Sequence, residues 1–154
     1  MGAARIELAD LAATRAFGRR LAALLRPGDV VTLTGPLGSG KTELARAVIR
    51  ARAGAEVEVP SPTFTLVQDY ELPGLTIRHA DLYRIEDPGE VDELGLDDLA
   101  DAALLLEWPE RAGGRLPSDR LEIGLEPVGA GEGRRAVLQT SPGWRDRLSA
   151  LLDG

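Results

Sequence analysis

The sequence predicts a three-layer α/β fold built on a mixed, mainly parallel central sheet with an antiparallel hairpin, and three observations lead there. The first is Val30-Val31-Thr32-Leu33-Thr34, a run of apolar and β-branched residues that breaks into Gly35-Pro36-Leu37-Gly38-Ser39-Gly40-Lys41-Thr42. The second is the stretch from Lys41 to Arg52, where Leu44, Ala45, Val48 and Ile49 fall at helical spacing while Glu43, Arg46 and Arg50 lie outside that stripe. The third is the mixture of strand-like and helical segments along the rest of the chain. A buried strand, a loop of spacing G-x-x-x-x-G-K-T and an amphipathic helix make a P-loop, so the expected class is a P-loop NTPase-like fold.

The 154 residues, 44% of them hydrophobic, suit one domain spanning residues 1–154. Before the P-loop, Arg5 to Ala9 alternates weakly as a short strand, and Asp10 N-caps a helix to about Arg26 with Leu11, Phe17, Leu21, Leu24 and Leu25 on its apolar face. Pro27-Gly28-Asp29 ends that helix and launches the P-loop strand. Gly54 stops the P-loop helix, and Ala55 to Val59 reads as a brief extended piece. Period-2 alternation on both sides of Pro73-Gly74 predicts a hairpin of residues 61–70 and 75–84. Residues 88 to 101 are expected to be helical, though Gly89 and Gly95 interrupt them. Leu104-Leu105-Leu106-Glu107 is a buried strand ending in a carboxylate. Leu121 to Leu125 and Ala136 to Thr140 are strands joined by a glycine-rich turn at 129–133, and Trp144 to Leu152 is a closing helix.

Each P-loop position has a chemical role. Gly35, Gly38 and Gly40 let the backbone curl until successive N–H groups, those of Leu37 and Ser39 among them, face an anion, and the helix N-terminus adds its unpaired donors and dipole. Lys41 reaches the β- and γ-phosphates, and the Thr42 hydroxyl ligates Mg²⁺. Hydrolysis needs a further carboxylate coupled to Mg²⁺. Glu107 and Asp81, each ending an extended stretch, are the candidates; Asp81 has a turn cap as its other reading. Thr63, about twenty residues beyond Lys41 in Ser61-Pro62-Thr63, is placed as a switch threonine or as part of an ordinary loop turn. His79, the only histidine, reads as a packing or hydrogen-bonding residue, with a catalytic base as its other reading. Trp108 reads as a core anchor or as a contact to nucleotide or partner.

Charge sets limits on partners. Against 18 Lys+Arg stand 25 Asp+Glu, for a net charge of −7, and residues 86–110 hold ten carboxylates and no base. Autonomous nucleic-acid binding is not expected of such a chain; the acidic stretch is either a solvated face or a docking patch for a basic partner. Zero cysteines, no signal-peptide pattern and no apolar stretch long enough for a membrane span lead to the expectation of a soluble cytoplasmic protein.

GPLGSGKT at 35–42, SPTFTLVQDY at 61–70, HADLYR at 79–84 and LLLEWPE at 104–110, in that order and at these separations, resemble the bacterial TsaE (YjeE) family, the small ATPase needed for tRNA threonylcarbamoyladenosine formation. The likeness runs from about residue 5 to residue 126. It implies an ATPase, weak alone, that uses ATP and Mg²⁺, docks on the TsaD–TsaB transferase pair and sustains its turnover without performing the transfer. It also implies roles by position: Lys41 and Thr42 match the P-loop lysine and the Mg²⁺ threonine, Glu107 the Mg²⁺-linked carboxylate, and Thr63 the switch threonine. Asp81 matches the aspartate of the DLYR block, and Trp108 a tryptophan important for activity. Glu43 stands where many relatives carry a second threonine, and nothing after Glu126 matches a motif. The rival expectation is a small P-loop nucleotide or metabolite kinase, with Arg111, Arg115 and Arg120 as candidate lid arginines.

Overall fold

A computed structural model describes residues 2–55, 57–60 and 66–152. Strands β1 (Gly2–Leu8), β2 (Val30–Thr34), β3 (Val67–Leu72), β4 (Leu75–Asp81), β5 (Ala102–Glu107), β6 (Leu121–Pro127) and β7 (Arg134–Thr140) form one sheet in the order β1-β7-β6-β2-β5-β4-β3. The middle four, β6-β2-β5-β4, run parallel, and antiparallel partners flank them on both sides. That is the mixed, mainly parallel sheet the sequence predicts. The P-loop strand β2 sits between β5 and β6, and β2 and β5 are buried or nearly so along their whole length. Strands covered on both faces have no use for alternation, which is why VVTLT and AALLLE are near-continuous apolar runs.

The predicted elements form, most with shifted ends. Helix α1 (Leu11–Leu24) begins where Asp10 accepts a hydrogen bond from the Ala13 N–H at 2.8 Å. Helix α2 (Lys41–Ala53) ends at Gly54, whose left-handed φ of 71° lets its N–H reach the carbonyls of Arg50 and Ala51. The hairpin is tighter than expected, Leu72 pairing Leu75 across a two-residue turn at Pro73-Gly74, and residues 61–65 of its expected first arm lie outside the described residues. Helix α3 (Pro142–Leu152) starts two residues early, at a proline suited to a first helical turn.

One expectation needs correction. Residues 88–101 hold no α-helix: Pro88–Leu94 is a 3-10 turn, stopped by Gly95 at φ 65°. Of its residues only Val91 is buried, too little apolar surface to offset two glycines. The brief extended piece expected at 55–59 joins no sheet in its described part, and residue 56 lies outside the described residues. Arginines of α2 hold that segment instead, Arg46 Nε donating to the Val59 carbonyl at 2.7 Å and Arg50 Nε to that of Val57 at 3.0 Å.

The two faces of the sheet are covered unequally. On one, α1, α2 and α3 bury Phe17, Leu21, Leu44, Val48, Ile49, Trp144 and Leu151 against Val31, Leu33, Leu105 and Ile123. Each large side chain so buried contributes about 1.5–3 kcal/mol. On the other, the 3-10 turns Pro88–Leu94 and Pro109–Ala112 cover Val30, Ala80, Leu104 and Leu106, so the third layer is thin. Helices α1 and α2 touch so closely that a Cβ on Gly18 would lie 2.6 Å from the Ala47 Cβ. The tail gains a structural role: Arg147 of α3 forms a two-pronged ion pair with Asp29 at 2.6 and 3.0 Å, and its guanidinium stacks 3.7 Å from the centre of the Trp144 ring. This pair clamps α3 to the turn that starts β2.

Candidate functional site

The site lies at the C-terminal ends of the parallel strands, where open α/β sheets bind their ligands. Residues 35–40 leave β2, curl, and enter α2. The curl depends on its glycines: Gly35 has φ 142° and Gly40 φ 101°, and a Cβ at Gly35 would sit 2.4 Å from the Leu125 carbonyl oxygen. Leu37 is at the exposed tip, so only its backbone serves the cradle. Ser39 is 1% exposed, and its hydroxyl has no hydrogen-bond partner among the described residues.

The facing wall comes from β4 and β5. These are paired in register, Asp81 opposite Glu107, and β5 pairs β2 with Glu107 opposite Leu33. Ala103 and Leu105 face α2, and the alternation carries Glu107 to the same side at the strand's end. There its Oε1 accepts a hydrogen bond from Thr42 Oγ1 at 3.0 Å, and its Oε2 lies 2.7 Å from His79 Nε2. His79 is fully buried and Glu107 is 2% exposed, so the carboxylate is held from both sides. The Asp81 carboxylate accepts from the Tyr83 N–H at 2.8 Å, so the turn-cap reading is correct, while the residue also lines the cavity beside Glu107.

Lys41 Nζ donates to its own loop, to the carbonyls of Gly35 at 2.5 Å and Pro36 at 3.0 Å, and sits 4.3 Å from the centre of the Trp108 ring. Burial pushes its pKa below the usual lysine value, outweighing the upward pull of Glu107, Asp81 and Glu110. Trp108 has a left-handed backbone (φ 59°), uncommon for so large a side chain, that turns the chain off β5. Its ring packs on Tyr83, centroids 4.9 Å apart. Together these residues enclose a cavity of about 390 Å³.

Chemically, the glycine loop and the start of α2 offer N–H donors to an anion. Thr42 and Glu107 offer a hydroxyl and a carboxylate oxygen side by side, the hard donors a divalent cation such as Mg²⁺ takes. No group of three or more His, Cys, Asp or Glu side chains suited to a metal occurs among the described residues. A cation here would therefore share its ligands with bound phosphate, as Mg²⁺ does in nucleotide sites.

The family model for "Threonylcarbamoyl adenosine biosynthesis protein TsaE" matches residues 8–136. The chain belongs to the TsaE family. It is 41% identical over 114 residues to the tRNA threonylcarbamoyladenosine biosynthesis protein TsaE of Rickettsia bellii, covering 73% of this chain and 79% of that one. The Bacillus subtilis protein of the same name is 37% identical over 134 residues, with 86% and 82% covered. A crystal structure of Bacillus subtilis YdiB superposes with a TM-score of 0.79 at 26% identity, over 99% of this chain and 95% of that one.

In this TsaE-family chain the sheet brings Lys41, Thr42, Asp81, Glu107 and Trp108 to one cavity. Thr63 lies outside the described residues. Glu43, in the first turn of α2, pairs with Arg46 at 2.8 Å. Two residues of the cavity escaped sequence reasoning. Tyr83 is visible there only as part of a motif string. Arg134 leaves the glycine-rich β6–β7 turn to donate to the P-loop carbonyls of Ser39 at 2.8 Å and Gly38 at 3.2 Å. Its position 94 residues after Gly40 carries no local signal.

Proposed function

We propose that this chain is the ATP-binding and hydrolysing component of the machinery that makes tRNA threonylcarbamoyladenosine, Mg²⁺-dependent, cytoplasmic, weak alone and acting on the TsaD–TsaB transferase pair to sustain its turnover. Family membership supports the place in threonylcarbamoyladenosine biosynthesis. The observation that carries the ATPase reading is the 3.0 Å bond from Thr42 to Glu107, which joins the helix after the P-loop to the end of the neighbouring parallel strand.

In this reading the glycine loop and Ser39 hold the phosphates, and Lys41 exchanges the carbonyls of Gly35 and Pro36 for the β- and γ-phosphate oxygens. Mg²⁺, when bound, supplies positive charge against those oxygens. Thr42 and Glu107 would hold it, His79 keeps Glu107 in place, and Asp81 stands where it can orient water. Trp108 and Tyr83 wall the cavity and help to exclude water from it.

The test is steady-state ATP hydrolysis by the chain alone and with TsaD and TsaB proteins from the same source, for wild type and Trp108→Ala. Stimulation by the pair that Trp108→Ala removes, with ATP binding retained, is expected. Phosphate transfer to a small acceptor, without stimulation, would make the chain a kinase instead.

A further inference from the structure

The P-loop cavity opens at the ends of β2, β4 and β5, and the same edge of the sheet continues past β6 to β1, which run in the same direction. There, beyond the ends of β6 and β1, lies a second cavity of about 310 Å³, lined by Leu8, Ala9, Val128, Glu132, Gly133 and Arg134 among others. Arg134 lines both cavities, so the two adjoin. Its guanidinium is fixed in the seam by four carbonyls. Nε donates to Ser39 and Nη2 to Gly38 of the P-loop, while Nη1 donates to Gly131 at 3.1 Å and to Gly133 at 2.8 Å in the β6–β7 turn. The turn is also tied to the start of α1, where the Glu132 carboxylate accepts from the Leu11 N–H at 3.3 Å.

The direction of a nucleotide in the cradle follows from where its cation would sit. Thr42 and Glu107 meet between β2 and β5, and a cation bridging the last two phosphates there turns the far end of the phosphate chain toward β5 and β4. The nucleoside then leaves on the β6 side, where the second cavity begins. That cavity has the make-up of a site for a flat heterocycle. Val128, 39% exposed, gives it an apolar side, and a guanidinium locked in plane stacks on an aromatic ring. The carbonyl oxygens of Ala9 and Val128 come together at Gly133, 3.4 and 3.2 Å from where a Cβ on that glycine would stand. Two acceptors side by side match the exocyclic amino group of adenine, whereas a 6-oxopurine brings a carbonyl oxygen to the same place. Glu132 supplies the carboxylate that ribose hydroxyls take.

We propose that the cavity at the β6–β7 turn takes the adenine base and ribose of the nucleotide whose phosphates the P-loop holds, with Arg134 as the platform between the two halves. The inference rests on the ATP reading above and adds the base selectivity of the site. The experiment is calorimetry in Mg²⁺ with ATP, inosine triphosphate and inorganic tripolyphosphate, on the full chain as wild type and as Val128→Ala. Tripolyphosphate has no base, so it reports the cradle and the fold together. Wild type should bind ATP at least about fivefold tighter than inosine triphosphate, the effect of leaving the two acceptors facing a carbonyl oxygen. Val128→Ala should weaken ATP about threefold, by lost apolar contact, and leave tripolyphosphate unchanged. Equal affinity for ATP and inosine triphosphate, unchanged ATP affinity in Val128→Ala, or tripolyphosphate weakened as much as ATP each overturns the inference while the ATP reading stands. Failure of wild type to bind both ATP and tripolyphosphate would instead overturn the ATP reading, and this inference with it.

Discussion

The two walls of the P-loop cavity are built by opposite means. The P-loop wall is contiguous, residues 35–42, and its shape follows from backbone conformation: positive φ at Gly35, Gly38 and Gly40, with Lys41 bonded to its own loop. The other wall has no local shape. His79, Asp81, Glu107 and Trp108 meet only because β4, β5 and β2 are paired in one register, and a slip by one residue would turn both carboxylates to the other face of the sheet. The contiguous wall is damaged most directly from within, Arg134 being its tie to a distant strand. The assembled wall can be damaged by anything that shifts a strand.

The largest effect should come from within the contiguous wall. Lys41→Ala removes the cation set against the phosphates and should weaken ATP binding by about 2–5 kcal/mol, the range for truncating one member of a buried charged pair. Titration of a fluorescent ATP analogue reads it. Equal affinity in mutant and wild type would deny the site.

Next is the joint between the walls. Thr42→Ala and Glu107→Gln should each weaken Mg²⁺-dependent binding, and because the two side chains meet at 3.0 Å the double variant should fall short of the sum by about 0.5–3 kcal/mol. Full additivity would mean that the walls act independently.

The fold-level counterpart is Gly18→Ala. A methyl there meets Ala47 at 2.6 Å, and such overpacking costs about 1–3 kcal/mol in denaturant unfolding. The helix it displaces is α2, so Mg²⁺ dependence should weaken with stability if register and packing set the assembled wall. Unfolding that moves without any change at the site would restrict that coupling to β4 and β5.

The smallest effect is on pH. Burial lowers the Lys41 pKa in the free chain, and phosphate oxygens would raise it again. The bound form therefore holds the proton more tightly, and ATP affinity should decline as pH rises through the alkaline range. Calorimetry across that range reads the slope, and Lys41→Arg should flatten it, since arginine keeps its charge.

By itself the sequence determined the contiguous parts: the P-loop with its glycines, lysine and threonine, helix α2 with its Gly54 stop, the Pro73-Gly74 hairpin and the buried strand that ends at Glu107. In each the cause is local, a backbone conformation that glycine permits, a helical stripe, or an apolar run that only a covered strand can use. Residues 88–101 show the limit, since a short, glycine-broken segment takes its form from what it packs on, and there it settled as a 3-10 turn. Tertiary structure alone decided that Glu107 is held between Thr42 and His79, that Arg134 reaches back to the P-loop, and that Arg147 clamps Asp29. The partners in these contacts are between 28 and 118 residues apart. At such separations no periodicity or propensity pairs two residues; strand order, register and helix packing do.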